Sequence, residues 1–185
     1  MDFRGTETRN KVSMKGDVWM KCGKNLTREQ ILENPDRQMH NLIVDVCSEL
    51  IAEWAFTGVI SLISQHVPGI LVLAVGTGDI GWDLQNPPVE TADETQLFSE
   101  LTRKTFSNVT YVDNLGAPSV TRTNIVDFMT TFLEAEAVGP IVEMGLFGGN
   151  GALLADSGTM INVRNFPVVN KGSTTTLAIL WRLTF

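Results

Sequence analysis

The chain has 185 residues, 43% of them hydrophobic and 19% charged, which suits one domain with a sizeable core and excludes two full cores or global disorder. Its formal net charge of −7 is the opposite of what coating a phosphate backbone requires, so no nucleic-acid partner is expected. Two cysteines, Cys22 and Cys47, are too few for a disulfide scaffold or a four-cysteine zinc site, and they fit a reducing cytoplasm.

Residues 1–33 show no sustained hydrophobic period and read as an extended arm. The basic side chains collect here. Residues 1–34 hold Arg4, Arg9, Lys11, Lys15, Lys21, Lys24 and Arg28 against five acidic residues, a net +2 that leaves −9 for the remainder. No Lys or Arg occurs between Gln38 and Thr102, where nine carboxylates do. A cationic leader on an acidic body invites docking onto a second copy or another acidic surface, and Val18, Trp19 and Met20 fit either an apolar anchor into a neighbour or a fold-back onto the parent domain. Met1 to Gly5 begin no apolar stretch, so no secretory signal is expected.

The next segment, 34–66, reads as an amphipathic helix. Asn34 suits the N-cap, Pro35 the first helical position, and Asp36 the positive helix end. Met39, Leu42, Ile43, Val46, Cys47, Leu50, Ile51, Trp54 and Ala55 follow at helical spacing. Asp45, Glu49 and Glu53 interrupt the stretch, which argues against a membrane span, and no membrane partner is expected. Pro68 and Gly69 stop the helix.

From residue 67 to 185 the pattern is that of strands. Ile70 to Val75 is a continuous apolar run of a buried strand, followed by a Gly- and Pro-rich loop over 76–96 whose Trp82 is a candidate contact. Leu97 to Phe106 fits either helix or strand, and Val109 to Val112 a strand. Thr121 to Glu136 and Ile141 to Phe147 read as strands, the second ending at the turn residues Gly148 to Gly151. Ala152 to Ala155 and Met160 to Arg164 suggest two short strands. The last strand is the clearest, with Leu177, Ile179, Trp181, Leu183 and Phe185 on one apolar face. The expected fold is mainly β: an antiparallel, jelly-roll-like β-sandwich with one N-terminal α-helix and an extended N-terminal arm.

Catalytic signatures are sparse. His40 and His66 have no partner at metal-ligand spacing, and Asp79, Asp83 and Asp93 lack the spacing of a calcium loop. Gly76-Thr77-Gly78 follows a strand, but Asp79 and Asp83 would repel a phosphate, so a turn is the better reading. Glu134, Glu136 and Glu143 flank Gly139-Pro140, where a hairpin would set Glu136 and Glu143 opposite each other as a hydrolase pair; a solvated edge or an inter-subunit pair to Arg or Lys is favoured. No enzyme activity, cofactor or metal is expected.

From Gly69 onward the order of landmarks resembles small structural proteins of tailed-bacteriophage virions. The run Leu73 to Gly78 is followed by Asp93 to Arg103, with Leu97, Glu100 and Arg103 in a Leu-x-x-Glu-x-x-Arg pattern. Then come Asn124 to Phe132, Glu134 to Phe147, Asn165 to Lys171 and the closing strand to Phe185. The resemblance implies a virion component of tail, neck, baseplate or fibre attachment, assembled in the host cytoplasm with copies of itself and other virion proteins. It also implies that Glu100 and Arg103 form an ion pair within or between subunits. Two alternatives follow: a capsid decoration or head-fibre protein, and a host-glycan-binding module using Trp82 and the 76–96 loop.

Overall fold

The computed structural model describes residues 14–47, 51 and 69–185. The strands are β1 (Lys15–Gly23), β2 (Arg37–His40), β3 (Leu42–Ile43), β4 (Ile70–Gly76), β5 (Glu100–Thr105), β6 (Asn108–Tyr111), β7 (Ile125–Phe132), β8 (Gly139–Gly148), β9 (Thr159–Lys171) and β10 (Thr176–Thr184). The short helix α1 is Arg28–Glu33. Among the described residues the strands form two five-stranded sheets, one in the order β2-β1-β10-β7-β6 and the other β3-β9-β8-β4-β5. All strand pairs are antiparallel. The chain is therefore mainly β and sandwich-like.

The main core is built by side chains alternating along these strands. Val18 and Met20 of β1, Phe128 and Phe132 of β7, and Leu177, Ile179, Trp181 and Leu183 of β10 pack with Leu73 and Val75 of β4, Met144 and Leu146 of β8, and Ile161 and Phe166 of β9. The two groups come one from each sheet, and this shared cluster joins them. β10 is buried on its other face too. Ala178 and Leu180 pack with Trp19 and with Ile31 of α1, so the helix covers the back of the first sheet. A third cluster, Val72, Ala74, Leu97, Phe147, Met160 and Val163 with Val44 and Ala152, lies on alternate residues of the second sheet. Phe185 ends the apolar face early. It lies beyond β10, is 40% exposed, and donates its N–H to the Asn124 carbonyl.

The expected arm is corrected by this topology for residues 15–33. β1 lies between β2 and β10, paired along its whole length from Lys15↔Thr184 to Gly23↔Thr176. Val18, Trp19 and Met20 are buried in the chain's own body and so are not available to a neighbour. The reason is that β10 is apolar on both faces and needs a strand on each side. A nine-residue stretch with buried and polar positions interleaved supplies one. Residues 1–13 lie outside the described residues.

The helix expected over 34–66 is likewise corrected at its start. Thr27, not Asn34, is the N-cap: its hydroxyl accepts from the Gln30 N–H at 3.3 Å, and Gln30 Oε1 accepts from the Thr27 N–H at 3.0 Å. Asn34 instead ends α1. Arg37–His40 pairs with β1 and Leu42–Ile43 with β9, so one stretch edges both sheets. Met39 and Ile43 touch the main core from these two strands. Two short strands separated by one residue thus place apolar side chains at a spacing that also matches a helix. Val46, Cys47 and Ile51 have helical backbone, and the rest of that segment, with His66, lies outside the described residues. Cys47 is buried in the main cluster, where loss of hydration pushes its thiol up to about 11.

Two strand boundaries also move. β7 spans Ile125–Phe132, inside the expected Thr121 to Glu136. Ala152 to Ala155 is a turn rather than a strand, because Arg103 Nη1 donates to the carbonyls of Ala152 at 2.7 Å and Ser157 at 2.8 Å. Leu97 to Phe106 contains β5, an edge strand paired with β4.

Candidate functional site

β4 ends at Gly76, where a register shift between Val75 and Gly76 releases the chain into the loop 77–99 that leads to β5. One buried carboxylate gathers both ends of that loop. Glu143 of β8 is fully buried, and its Oε1 accepts from the N–H groups of Gly78 at 3.0 Å and Ser99 at 2.9 Å. Its Oε2 accepts from the Phe98 N–H at 2.9 Å. Three backbone donors compensate the lost hydration of this charge. The same residue was a candidate half of a carboxylate pair with Glu136. That pairing is corrected: β7 and β8 belong to different sheets, so no hairpin sets the two opposite. Glu136 accepts from Lys104 Nζ and from the Leu133 N–H, and these bonds, Lys104 first, hold its carboxyl below the usual range.

The loop is fastened again further along. The Val168 N–H donates to the Leu84 carbonyl at 2.7 Å, and Asn165 Nδ2 to the Pro88 carbonyl at 3.1 Å. Glu90, buried, accepts from Arg164 Nη1 at 2.6 Å and from the Asn165 N–H at 3.3 Å. Local turns complete it. Asp79 Oδ1 accepts from the Gly81 N–H at 2.8 Å, and Asp83 Oδ1 from the Gln85 N–H at 2.9 Å, which lowers the Asp83 carboxyl.

These constraints place Trp82 on Gly78. That glycine has φ of +69°, and a β-carbon added there would fall 2.4 Å from Trp82 Cε3 and 2.7 Å from Val142 Cγ2. Only glycine fits both the backbone and the close ring. Trp82 meets Phe98 edge to face, with centroids 4.8 Å apart and planes at 63°. Around them opens a cleft of about 550 Å³ lined by Thr77, Asp79, Ile80, Leu84, Ser99 and Pro140 as well. Phe98 is 57% exposed and Ile80 fully so.

Of the contact residues expected from the sequence, Trp82 lies in this cleft, with Thr77, Gly78 and Asp79 of the rejected phosphate-loop reading beside it. Val18, Trp19 and Met20 are core residues of β1. Glu100 and Arg103 form an internal pair, Arg103 Nε to Glu100 Oε1 at 2.7 Å and Nη2 to Oε2 at 2.5 Å, with both side chains buried. The Arg103 guanidinium also lies 4.7 Å from the centre of the Phe147 ring. This pair holds the 149–158 turn against β5 and carries no surface role. Sequence reasoning missed Phe98 and the buried centre at Asp127, and it singled out Glu143 without finding its role as the acceptor for both ends of the loop. A weak signal existed for Glu143, a lone carboxylate inside the apolar run Ile141 to Phe147.

Among the described residues no cluster of three or more His, Cys, Asp or Glu side chains could hold a metal ion, and no helix is long and apolar enough to cross a membrane. His40 pairs with Asp17 at 2.5 Å on the surface. No protein-family model matches the chain, and neither does any curated protein.

Glu143→Gln is expected to lower stability by about 1–3 kcal/mol, because an amide nitrogen would then face one of three buried N–H donors. Urea denaturation checks this. An unchanged midpoint would show that the carboxylate does not organise the loop.

Proposed function

We propose that the chain is a structural protein of a tailed-bacteriophage virion, at the tail, neck, baseplate or fibre attachment, and not an enzyme. The ordered resemblance over residues 69–185 supports this reading. So does the use made of the interior charges. Among the described residues the buried charged ones, Glu90, Asp127, Glu143 and Lys171, are all engaged in holding loops and strands together. Lys171 is representative. Its ammonium donates to the carbonyls of Leu133 at 2.8 Å and Glu134 at 3.1 Å, closing the connection between β7 and β8. Burial lowers its pKa.

The observation that carries the proposal is the contrast with the surface. Val109 and Tyr111 of edge strand β6, with Leu115 and Val120 of the following loop, are 39–105% exposed. An edge strand bearing apolar side chains is a natural contact for another chain. We read the sandwich as jelly-roll-like and its assembly contacts as this surface together with the cationic residues ahead of β1, Arg4, Arg9 and Lys11. Partners are copies of the chain and neighbouring virion proteins, in a closed ring or trimer. A capsid decoration or head-fibre role is the alternative.

Quantitative mass spectrometry of purified particles tests the reading. The chain is expected at a fixed low copy number per particle if it belongs to the tail or neck, and in hundreds of copies if it decorates the shell. Its absence from washed, infectious particles would end the proposal.

A further inference from the structure

We infer that the cleft between Trp82 and Phe98 is a binding site for a neutral carbohydrate. Such a site acts in the isolated chain, wherever the protein resides.

The indole of Trp82 lies against the backbone of Gly78, and Phe98 stands edge to face against it at 63°. Two rings at this angle form a corner of about 550 Å³, comparable with pockets that hold small ligands. The C–H groups on one face of a hexose pack against an aromatic ring, while its hydroxyls point outward at the rim. Polar residues Thr77, Asp79 and Ser99 line the cleft beside the rings. Asp79 Oδ1 accepts from the Gly81 N–H, and Oδ2 makes no hydrogen bond among the described residues.

Charge favours an uncharged ligand. No Lys or Arg lies between Gln38 and Thr102, so the loop has no cation to receive a phosphate, a sulfate or a sialic acid. Asp79 and its neighbour Asp83 would repel one. An uncharged polyol suffers no such repulsion and uses a carboxylate as a hydrogen-bond acceptor. A cationic ligand would be attracted by Asp79, but two rings and a single lining carboxylate make a poor cage for an ammonium group.

The cleft is also preorganised. Glu143 binds Gly78 on the Trp82 side and Phe98 and Ser99 on the other, so one buried carboxylate fixes both walls before any ligand arrives. Leu84, which also lines the cleft, is fastened through its carbonyl to β9. The aromatic corner is thus rigid although it sits on a loop.

The test is a glycan array probed with the full chain, followed by calorimetric titration with the best neutral oligosaccharide and, separately, with hexalysine. Saturable binding of at least one neutral glycan is expected. Trp82→Ala and Phe98→Ala should each weaken it about tenfold or more, the loss of one aromatic contact. Both variants should keep the wild-type circular dichroism. Phe98 is 57% exposed, so its variant tests the cleft even if Trp82→Ala fails to fold. No neutral glycan bound, unchanged affinity in Phe98→Ala, or binding of sulfated glycans or hexalysine alone would each overturn the inference.

Discussion

A chain shortened to begin at Asn34 is expected to be unfolded. The truncation removes β1, and with it the ladder that pairs Lys15 to Gly23 with Gly23's partner Thr176 through to Thr184. β10 would then show an unpaired edge whose residues are buried from Thr176 to Trp181. β2 would lose its partner outright. Val18, Trp19 and Met20 each contribute roughly 1.5–3 kcal/mol of gross burial. Ile31 and the cover that α1 gives the outer face of the first sheet would go as well. A domain of ordinary stability has only about 5–15 kcal/mol to lose. Circular dichroism and thermal melting of the shortened chain check this, with a second truncation that begins at Met14 as the control. The control is expected to melt cooperatively near the full-length temperature. A cooperative transition in the chain that begins at Asn34 would mean that β1 is dispensable.

Asp127→Ala is expected to cost about 3–5 kcal/mol, the range for removing one member of a buried charge cluster. Asp127 of β7 is 1% exposed. Its Oδ1 accepts from Arg182 Nε at 2.6 Å, and its Oδ2 from Arg182 Nη2 at 2.9 Å and from Arg28 Nε and Nη2 at 2.9 and 2.6 Å. One carboxylate therefore joins α1, β7 and β10. Arg28 Nη2 also donates to the Gly116 carbonyl at 2.8 Å, bringing in the loop after β6. The Arg182 guanidinium lies 5.1 Å from the centre of the Trp19 ring, and its bonds to Asp127 raise its pKa further. Alanine would leave two largely buried guanidinium groups facing each other without a counter-charge. Urea denaturation of Asp127→Ala, Arg28→Met and the double variant separates the contributions. The double variant is expected to be less destabilised than the sum of the singles, since Arg28→Met removes one of the stranded charges. Strict additivity, or a loss below about 1 kcal/mol for Asp127→Ala, would show that the cluster is not a unit.

β4, β8 and β10 were legible because each carries its instruction locally. Ile70 to Val75 is apolar throughout, and Leu177 to Leu183 alternates toward one core, so the strand state follows from a few neighbouring residues. The burial of the opposite face of β10, where Ala178 and Leu180 meet Trp19 and Ile31, came only with the structure. The loop after β4 and the prominence of Trp82 were legible too, from Gly and Pro content and from a large ring among small polar residues. Phe98 was not. It was one apolar residue in a segment that fitted helix or strand, and nothing local sets it beside Trp82.

Residues 15–43 were misjudged for a related reason. β1 reads as a polar tail because Lys15, Asp17, Lys21 and Lys24 occupy its exposed and half-buried positions and its end. Met39, Leu42 and Ile43 have helical spacing, yet β1, which carries β2, pairs with β10, and β3 pairs with β9, each across more than 100 residues of chain. Hydrogen-bond partners so far apart leave no trace in a local window.

By itself the amino-acid sequence determined that this protein is a β-rich body with an apolar closing strand and an acidic, glycine-rich loop around Trp82. Tertiary structure alone decided that the cationic N-terminal stretch becomes an inner strand, that Glu100 and Arg103 satisfy each other, and that Glu143 joins Trp82 to Phe98 in one cleft. Hydrophobic period is a property of adjacent residues. The partner of a buried charge or an open strand edge is whichever group the completed fold brings within about 3 Å, because leaving either one unpaired away from water costs more than the local preferences it overrides.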